Sequence, residues 1–490
     1  MDDSKFRFVR HFLFVGLMLV TSLVKASPWI GTTEPLLHRD LQTLVEQGYI
    51  NVALSSFPVP WKGIDKQLSA LDITFLTPEA QVATQRLRHY FKQQKNNSSQ
   101  RFVSLYAASD SSRFTDFVGM QSPKARLTVV NEATAGRWAG RLALNFEPGG
   151  EKHFDQSYLA YQLGDWNVRL GAIDQWWGPG NASSLILSNS ARPIPSVAVS
   201  RSQATASVNS WLSFLGPWYF TAQVGQTGDS RQINDVRLWA SRFNFQPLSG
   251  LEIGLSWSAM WGGEGQPSSF SDFLKVITFR AECANNAEQC DDALDTKAGN
   301  QLAGYDIRYS FRVFDQPFSL YAQQIGEDAV DYYKVTDKAL LVGFSTYLWG
   351  NKLFIENADT NVVCGASTSI ITNCYYEHSL YKSGYRHYER AIGSTFDSDA
   401  KVTSMGLSRH FADGDAYSFT VHYADLNRDG VRPSPLLLGQ REKLLQLSGF
   451  YQFPLQNWLI KLGATVTGNE IDQQAREWDA MVYTQINYHL

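Results

Sequence analysis

Stretches of about ten residues in which apolar and polar side chains alternate constrain this chain more than any other feature. Trp138, Gly140, Leu142, Leu144 and Phe146 interleave with Ala139, Arg141, Ala143 and Asn145. The same period runs through Leu251, Ile253, Leu255, Trp257 and Ala259, through Tyr305, Ile307, Tyr309, Phe311 and Val313, and through Trp458, Ile460, Leu462, Ala464 and Val466. A strand of that length with one apolar face matches a tilted β-strand crossing a bilayer. A soluble sandwich uses shorter strands and carries less Trp and Tyr at strand ends. The mean hydropathy of -0.25 excludes a polytopic helical membrane protein, but alternating strands average to just such a value. With 13% aromatic and 18% charged residues the chain is not disordered, and a net charge of -4 supplies no basic surface for nucleic acid.

The alternation predicts an all-β membrane barrel of about eighteen antiparallel strands, an even number as closure of a bacterial barrel requires. The segments include 101–110, 155–163, 206–214, 338–348 and 479–490. Short connections (Gly164-Asp165, Leu215-Gly216-Pro217, Trp349-Gly350, Ala412-Asp413-Gly414, Leu455-Gln456) alternate with long ones (174–205, 262–300, 359–401, 426–442). Outer-membrane barrels have short periplasmic turns and long outer loops. Placing the N-terminal region and Leu490 in the periplasm puts every long connection outside. The last strand, with Thr484, Ile486, Tyr488 and Leu490 on one face, resembles the terminal recognition strand of outer-membrane proteins, although Leu490 replaces the usual aromatic residue.

The chain upstream of the barrel has a different character. Lys5, Arg7 and Arg10 precede an apolar run from Phe12 to Val24, and Val24-Lys25-Ala26 resembles a signal-peptidase site. Residues 1–26 are read as a cleaved signal peptide, and the destination is the outer membrane of a Gram-negative bacterium. Residues 27–100 are read as a small helical module in the periplasm, and 101–490 as the barrel. Leu36, Leu37, Leu41, Leu44 and Val45 recur at helical spacing before Gly48, and Pro78 opens a second helical stretch. Phe57-Pro58-Val59-Pro60-Trp61 cannot be helix interior. So small a module is expected to pack on its neighbour. Four cysteines allow three connectivities, and their positions favour two local pairs, Cys283 with Cys290 and Cys364 with Cys374. Their spacing matches no zinc motif, and neither a metal nor a cofactor is expected.

Several constellations could carry function. Asp174-Gln175-Trp176-Trp177-Gly178-Pro179-Gly180 leads through Asn189 to Arg192. Paired tryptophans can stack on sugar C–H faces while Asp, Asn and Arg bond hydroxyls or carboxylates. The same residues suit an inward-folded loop packed on the barrel wall. Its glycines are not a phosphate loop, because no Gly-Lys-Ser/Thr follows. Segment 359–401 is rich in aromatic and cationic groups, including Tyr375, Tyr376, Tyr381, Tyr385, Arg386, His387, Tyr388 and Arg390. The glycan-contacting set expected from these loops is Asp174, Trp176, Trp177, Asn189, Arg192, Tyr385, Arg386 and Tyr388. Alternation also points Arg141, Arg169, Arg308, Arg312 and Lys461 into the lumen. There they could attract an acidic polymer or pair with inward acids such as Glu147, Glu252 and Asp306. Catalysis is not expected: in the set Ser408, His410, His422 and Asp425, strand rise of roughly 3.3 Å per residue keeps His410 and Asp425 far apart.

Trp176-Trp177-Gly178-Pro179-Gly180, followed by Ser183-Ser184-Leu185-Ile186-Leu187-Ser188-Asn189 and Ala191-Arg192-Pro193, resembles the capsule-assembly Wzi family. Pro35-Leu36-Leu37-His38-Arg39-Asp40-Leu41 and Pro58-Val59-Pro60-Trp61 resemble its N-terminal region. The resemblance covers the whole mature chain. It implies an eighteen-strand outer-membrane barrel with a periplasmic helical bundle, and a lectin-like role in holding capsular polysaccharide at the cell surface. It transfers no individual sugar-binding residue. The expected partners are an acidic capsular or extracellular polysaccharide and outer-membrane lipid, for a chain acting as a monomer. The competing expectation is a porin for sugars or small solutes.

Overall fold

The structure, a computed structural model, describes residues 27–31, 35–96, 99–119, 123–207, 210–228, 230–277, 299–330, 334–364, 371–378, 380–430, 439–472 and 474–490. The expected signal peptide and the Cys283/Cys290 pair lie outside the described residues. Eighteen long strands form a closed antiparallel barrel. They are β1 (Ser99–Ala108), β2 (Ala125–Ala135), β3 (Trp138–Phe146), β4 (Ser157–Leu163), β5 (Trp166–Ala172), β6 (Ser196–Arg201), β7 (Trp218–Gln226), β8 (Arg237–Leu248) and β9 (Leu251–Trp261), followed by β10 (Gly299–Val313), β11 (Gln316–Val330), β12 (Lys334–Leu348), β13 (Asn351–Asp359), β14 (Ala400–His410), β15 (Ala416–Leu426), β16 (Glu442–Leu455), β17 (Trp458–Ile471) and β18 (Glu477–His489). Each pairs with its neighbour in sequence, and β18 closes on β1 with Ile486 opposite Leu105 and Tyr488 opposite Val103.

The wall has its polarity inverted relative to a soluble protein. Leu320, Ile355, Met405, Phe419, Leu447 and Leu462 point outward and are 42–54% exposed. Ser319, Glu356, Ser404, Ser418 and Gln446, one residue away on the same strands, are buried inside. A continuous apolar belt of this kind is stable only against lipid. Exposed Trp138, Trp166, Phe314, Trp349 and Trp458 all flank short turns, where a ring of amphipathic aromatics marks the membrane–water boundary. The turns themselves are tight. Trp349 (φ 52°) and Gly350 (φ 76°) join β12 to β13 with the positive φ values that a two-residue hairpin needs to match strand twist.

One expected strand is corrected. The strand expected at 206–214 is not found among its described residues; Ser210–Leu215 forms a 3-10 turn with Trp211 and Phe214 exposed. The crossing strand is β6, at 196–201, where Val197 and Val199 face out and Ser196, Ala198 and Ser200 face in. The long connection after β5 therefore ends at residue 195 rather than 205. The parity of the barrel is unchanged, and this connection lies at the same end as those after β9, β13 and β15.

Helices α1 (Pro35–Glu46), α2 (Ile64–Ala70) and α3 (Pro78–Asn96) sit at the short-turn end. Pro35 occupies the first position of α1, which needs no N–H donor, and Gly48 ends it with φ 75°. Leu37, Leu41 and Leu44 pack with Ala80, Ala83 and Leu87 of α3 in one apolar cluster. The opposite face of α1 carries His38, Arg39, Asp40, Gln42 and Glu46, all buried as well. Its surroundings are the polar inner wall. Glu46 lies 3.0 Å from Lys352 Nζ of β13 and accepts 2.8 Å from Tyr347 Oη of β12. Asp40 pairs with Arg86 of α3 at 3.1 Å and with His410 of β14 at 3.2 Å. The helix thus occupies the lumen.

Candidate functional site

Above α1, two chain segments fill the interior. Ser55 and Ser56 lie beside Arg242 on β8, whose guanidinium donates to Ser55 Oγ (2.8 Å), Ser56 Oγ (2.7 Å) and the Asp306 carboxylate (2.6 Å). Glu252 on β9 accepts from the Leu54 and Ser55 amides at 3.1 and 2.8 Å. Phe57 then pairs in register with Trp176 of the loop 173–195, which folds inward. That loop is gripped by a single wall carboxylate: Glu356 on β13 accepts from the amides of Asn181 (2.7 Å), Ala182 (3.3 Å) and Ser183 (3.0 Å) and from Tyr321 Oη (3.1 Å). The turn needs glycine, since a Cβ on Gly180 would collide with the Ser183 carbonyl. A tyrosine cap from 375–378 and 380–398 covers the loop: Tyr375 and Tyr376 donate to the Leu185 carbonyl (2.9 and 2.6 Å), and Tyr385 donates to that of Ile186 (3.0 Å).

These contacts bear on the two readings of the expected glycan set. Trp176 and Trp177 are 2% and 0% exposed. Trp176 meets the Phe117 ring edge-on at 5.3 Å, and Trp177 lies in the cluster with Leu185, Ile186 and Tyr375. Neither presents a face to a sugar, because the loop folds down the lumen rather than out into solvent. Tyr385 is likewise buried, and Arg386 is held by Asp397 (2.7 Å) and Glu377 (2.6 Å). Tyr388 remains exposed, with the Arg192 guanidinium 4.3 Å from its ring centroid. The disulfide Cys364–Cys374 staples the same long connection.

The inward basic set points as alternation requires, and most of it is engaged. Arg141 lies 3.6 Å from Glu132; Arg169 donates to Gln223 at 3.2 Å. Arg308 donates to the Pro179 carbonyl at 2.6 Å and lies 3.7 Å from Glu46, while Arg312 donates to the Gln47 carbonyl at 3.3 Å. Of the acids proposed as their partners, Glu147 is taken by Arg126 (2.7 Å) and Asp306 by Arg242. Lys461 differs: its ammonium lies 4.6 Å from the Phe450 ring centroid and makes no hydrogen bond or ion pair among the described residues.

Spaces remain beside the filling. One, of about 770 Å³, runs along β1–β3 from Arg192 and Asp155 at the long-loop end to the Ala412–Gly414 turn, with Asp174, Asn189 and Arg192 on its lining. At its outer end Asp155 accepts from Arg192 (2.7 Å) and lies 3.1 Å from His153. Burial opposes ionisation of Asp155, but hydrogen bonds from His153 and Arg192 prevail and hold its pKa at about 2. Asp174 is the reverse case: burial, aided by the Asp155 charge, pushes its carboxyl up to about 7. A second space, of about 440 Å³, lies against β15–β18 and β1 beneath segment 110–119.

Among the described residues, the set weighed for catalysis does not come together around these spaces. Ser408 and His410 do not meet His422; instead His422 Nδ1 lies 2.8 Å from Ser404 Oγ, and among the described residues no carboxylate is hydrogen-bonded to that ring. Asp425 is held by Arg441 and Arg428. Glu327 with Cys364 and Cys374 is the one metal-ligating grouping among the described residues, and its two sulfurs are bound to each other. Glu356, Glu46 and Lys352, the groups that hold the interior together, were missed from the sequence. Alternation along β13 does place Lys352 and Glu356 inward, and that was the available signal.

Fold and interior define an outer-membrane β-barrel whose lumen is occupied by its own chain. The family model of capsule assembly protein Wzi matches residues 94–482, and the chain belongs to that family. The solved structure of Escherichia coli Wzi, described as an outer membrane protein involved in group 1 capsule assembly and a carbohydrate binding beta-barrel, superimposes with a TM-score of 0.78. That match has 22% identity and covers 95% of this chain and 99% of the other. An uncharacterized 55.8 kDa protein of the cps region of Klebsiella pneumoniae is 28% identical over 305 residues, which is 60% of this chain and 58% of that relative's length.

Proposed function

We propose that this protein is a non-catalytic, lectin-like attachment protein that holds an acidic capsular or extracellular polysaccharide on the cell surface, acting as a monomer in the outer membrane. In this reading the short turns and helices α1–α3 face the periplasm, and the long connections face outward. One observation carries it: the interior is packed with the chain's own segments from α1 to the tyrosine cap, which leaves the long-loop end and its recesses as the surface for a polymer. The carbohydrate-binding description of the Escherichia coli structure supports the same reading by analogy of fold. Asp174, Asn189, Arg192 and Tyr388 remain the glycan-contacting residues of this proposal.

The test is binding of the purified barrel to the host's own surface glycan across a salt series. Capture that weakens steeply with added salt is expected of charge-led recognition. A deletion strain that retains all of its cell-associated polysaccharide contradicts the role. A large, steady conductance in planar bilayers would instead favour the porin reading.

A further inference from the structure

The 440 Å³ recess adjoins the larger space, with Lys461 and Gln485 on the lining of both. Its wall is the inner face of β15–β18 and β1, where alternate positions carry neutral hydrogen-bonding groups, among them Thr420, Gln446, Ser448, Thr465 and Gln485. Such groups donate and accept with equal ease, as vicinal hydroxyls require. Aromatic surface lies among them: Tyr483 packs against Gly463, where no side chain intervenes, and its ring stands 5.7 Å from that of Tyr106. Exposed Asp110 and Ser111 and strand-end residues Asn469 and Asp479 border it, so it opens toward the long-loop end. Its volume falls within the usual range for small-molecule sites, roughly 300–1,000 Å³, enough for about two sugar rings.

The ammonium inside has no bonded counterion among the described residues, and Asp116 on the same lining acts on it at a distance through its charge. Lys461 lines the recess with no acid bonded to its ammonium among the described residues, whereas Lys352, deeper in the same lumen, sits 3.0 Å from Glu46. Of the acids on the lining, Asp116 is occupied by the amides of Val118 (2.9 Å) and Gly119 (2.7 Å), and Asp110 pairs with Lys124 at 3.2 Å. Asp479 is exposed at the rim. Arg113 is matched by Glu442, and Arg390 donates to the Ser112 and Arg113 carbonyls. An ammonium in a confined polar space, with hydroxyl-matching groups and aromatic faces around it, is complementary to a sugar that carries its own carboxylate.

We propose that this recess is a glycan subsite for a hexuronic acid residue, entered by a chain end or side branch, with the sugar carboxylate on Lys461 Nζ. The inference deepens the attachment role and rests on it. The recess holds one terminal unit, while the outer loops carry the body of the polymer.

The experiment uses the full-length protein in lipid nanodiscs and tetrasaccharides containing glucuronate or galacturonate, each beside its carboxyl-reduced, neutral counterpart, measured by titration calorimetry. The wild-type protein is expected to prefer at least one acidic form by about tenfold, the scale of one charge-assisted hydrogen bond. Lys461→Gln should erase that preference without weakening the neutral form, and Lys461→Arg should keep most of it. Carbodiimide coupling should join the bound uronate to Lys461, read as one modified peptide by mass spectrometry. Heat-modified gel mobility verifies that each variant is a folded barrel. Equal binding of acidic and neutral forms by the wild type, or an undiminished preference in Lys461→Gln, overturns the subsite. If that happens while the host polysaccharide still binds, the attachment role survives the loss. If the wild type binds no host glycan either, the attachment role itself fails.

Discussion

At the scale of single residues, the most informative groups are two neighbouring carboxyls driven in opposite directions. Asp174, raised to about 7 by burial and by the Asp155 charge, favours the folded state in its protonated form. Its penalty is absent below the ordinary carboxyl range near 4, grows as pH rises, and is complete above 7. Asp174→Asn should therefore raise the unfolding free energy measured in urea at pH 8 by on the order of 2 kcal/mol, and leave it unchanged at pH 4. Asp155, held at about 2, contributes stability that is present above the ordinary range and lost as pH falls toward 2. Asp155→Asn should accordingly destabilise at neutral pH and converge on the wild type in acid. Trp176→Ala and Trp177→Ala are expected to lower stability by about 3–5 kcal/mol each, the scale of large-to-small change in a packed core. A fully stable Trp177→Ala barrel with lost glycan binding would return that residue to the sugar. Composition could not choose between these roles for the tryptophans. The deciding partners, Phe57, Phe117 and Tyr375, lie far away in sequence and meet the pair only once the barrel closes.

At the scale of elements, what the sequence revealed depended on how many side chains each element shows to lipid. β3, β9, β10 and β17 turn four or more apolar residues outward and were legible at once. β6 turns out only Val197 and Val199, too few for a periodicity to stand above its surroundings, so the crossing was placed one segment late. α1 was legible as a helix from its leucines, but its second face was not. Buried His38, Arg39, Asp40 and Glu46 make sense only against the polar inner wall of another element. The Glu46–Lys352 pair gives the measurable consequence. Glu46→Ala leaves a buried ammonium without its acid and should cost about 3–5 kcal/mol of urea stability. It should also produce transient conductance steps in planar bilayers as α1 loosens; a silent, fully stable variant would show that the pair does not hold the helix.

At the scale of the whole molecule, the even strand count, the closure of β18 on β1 and the segregation of long connections to one end were all implicit in the period and the parity of the chain. The destination of those connections was not, because alternation describes a wall and is silent about what fills it. An eighteen-strand cylinder left vacant is wide enough to admit water and solutes. Here the broad circumference provides a wide outer rim, while the bore is taken up by α1, by Ser55–Phe57, by the 173–195 loop and by the tyrosines above it. Many copies of a cylinder so filled should add less leakage of antibiotics or bile salts to an envelope than a vacant sieve of the same girth, an outcome that liposome-swelling rates would check.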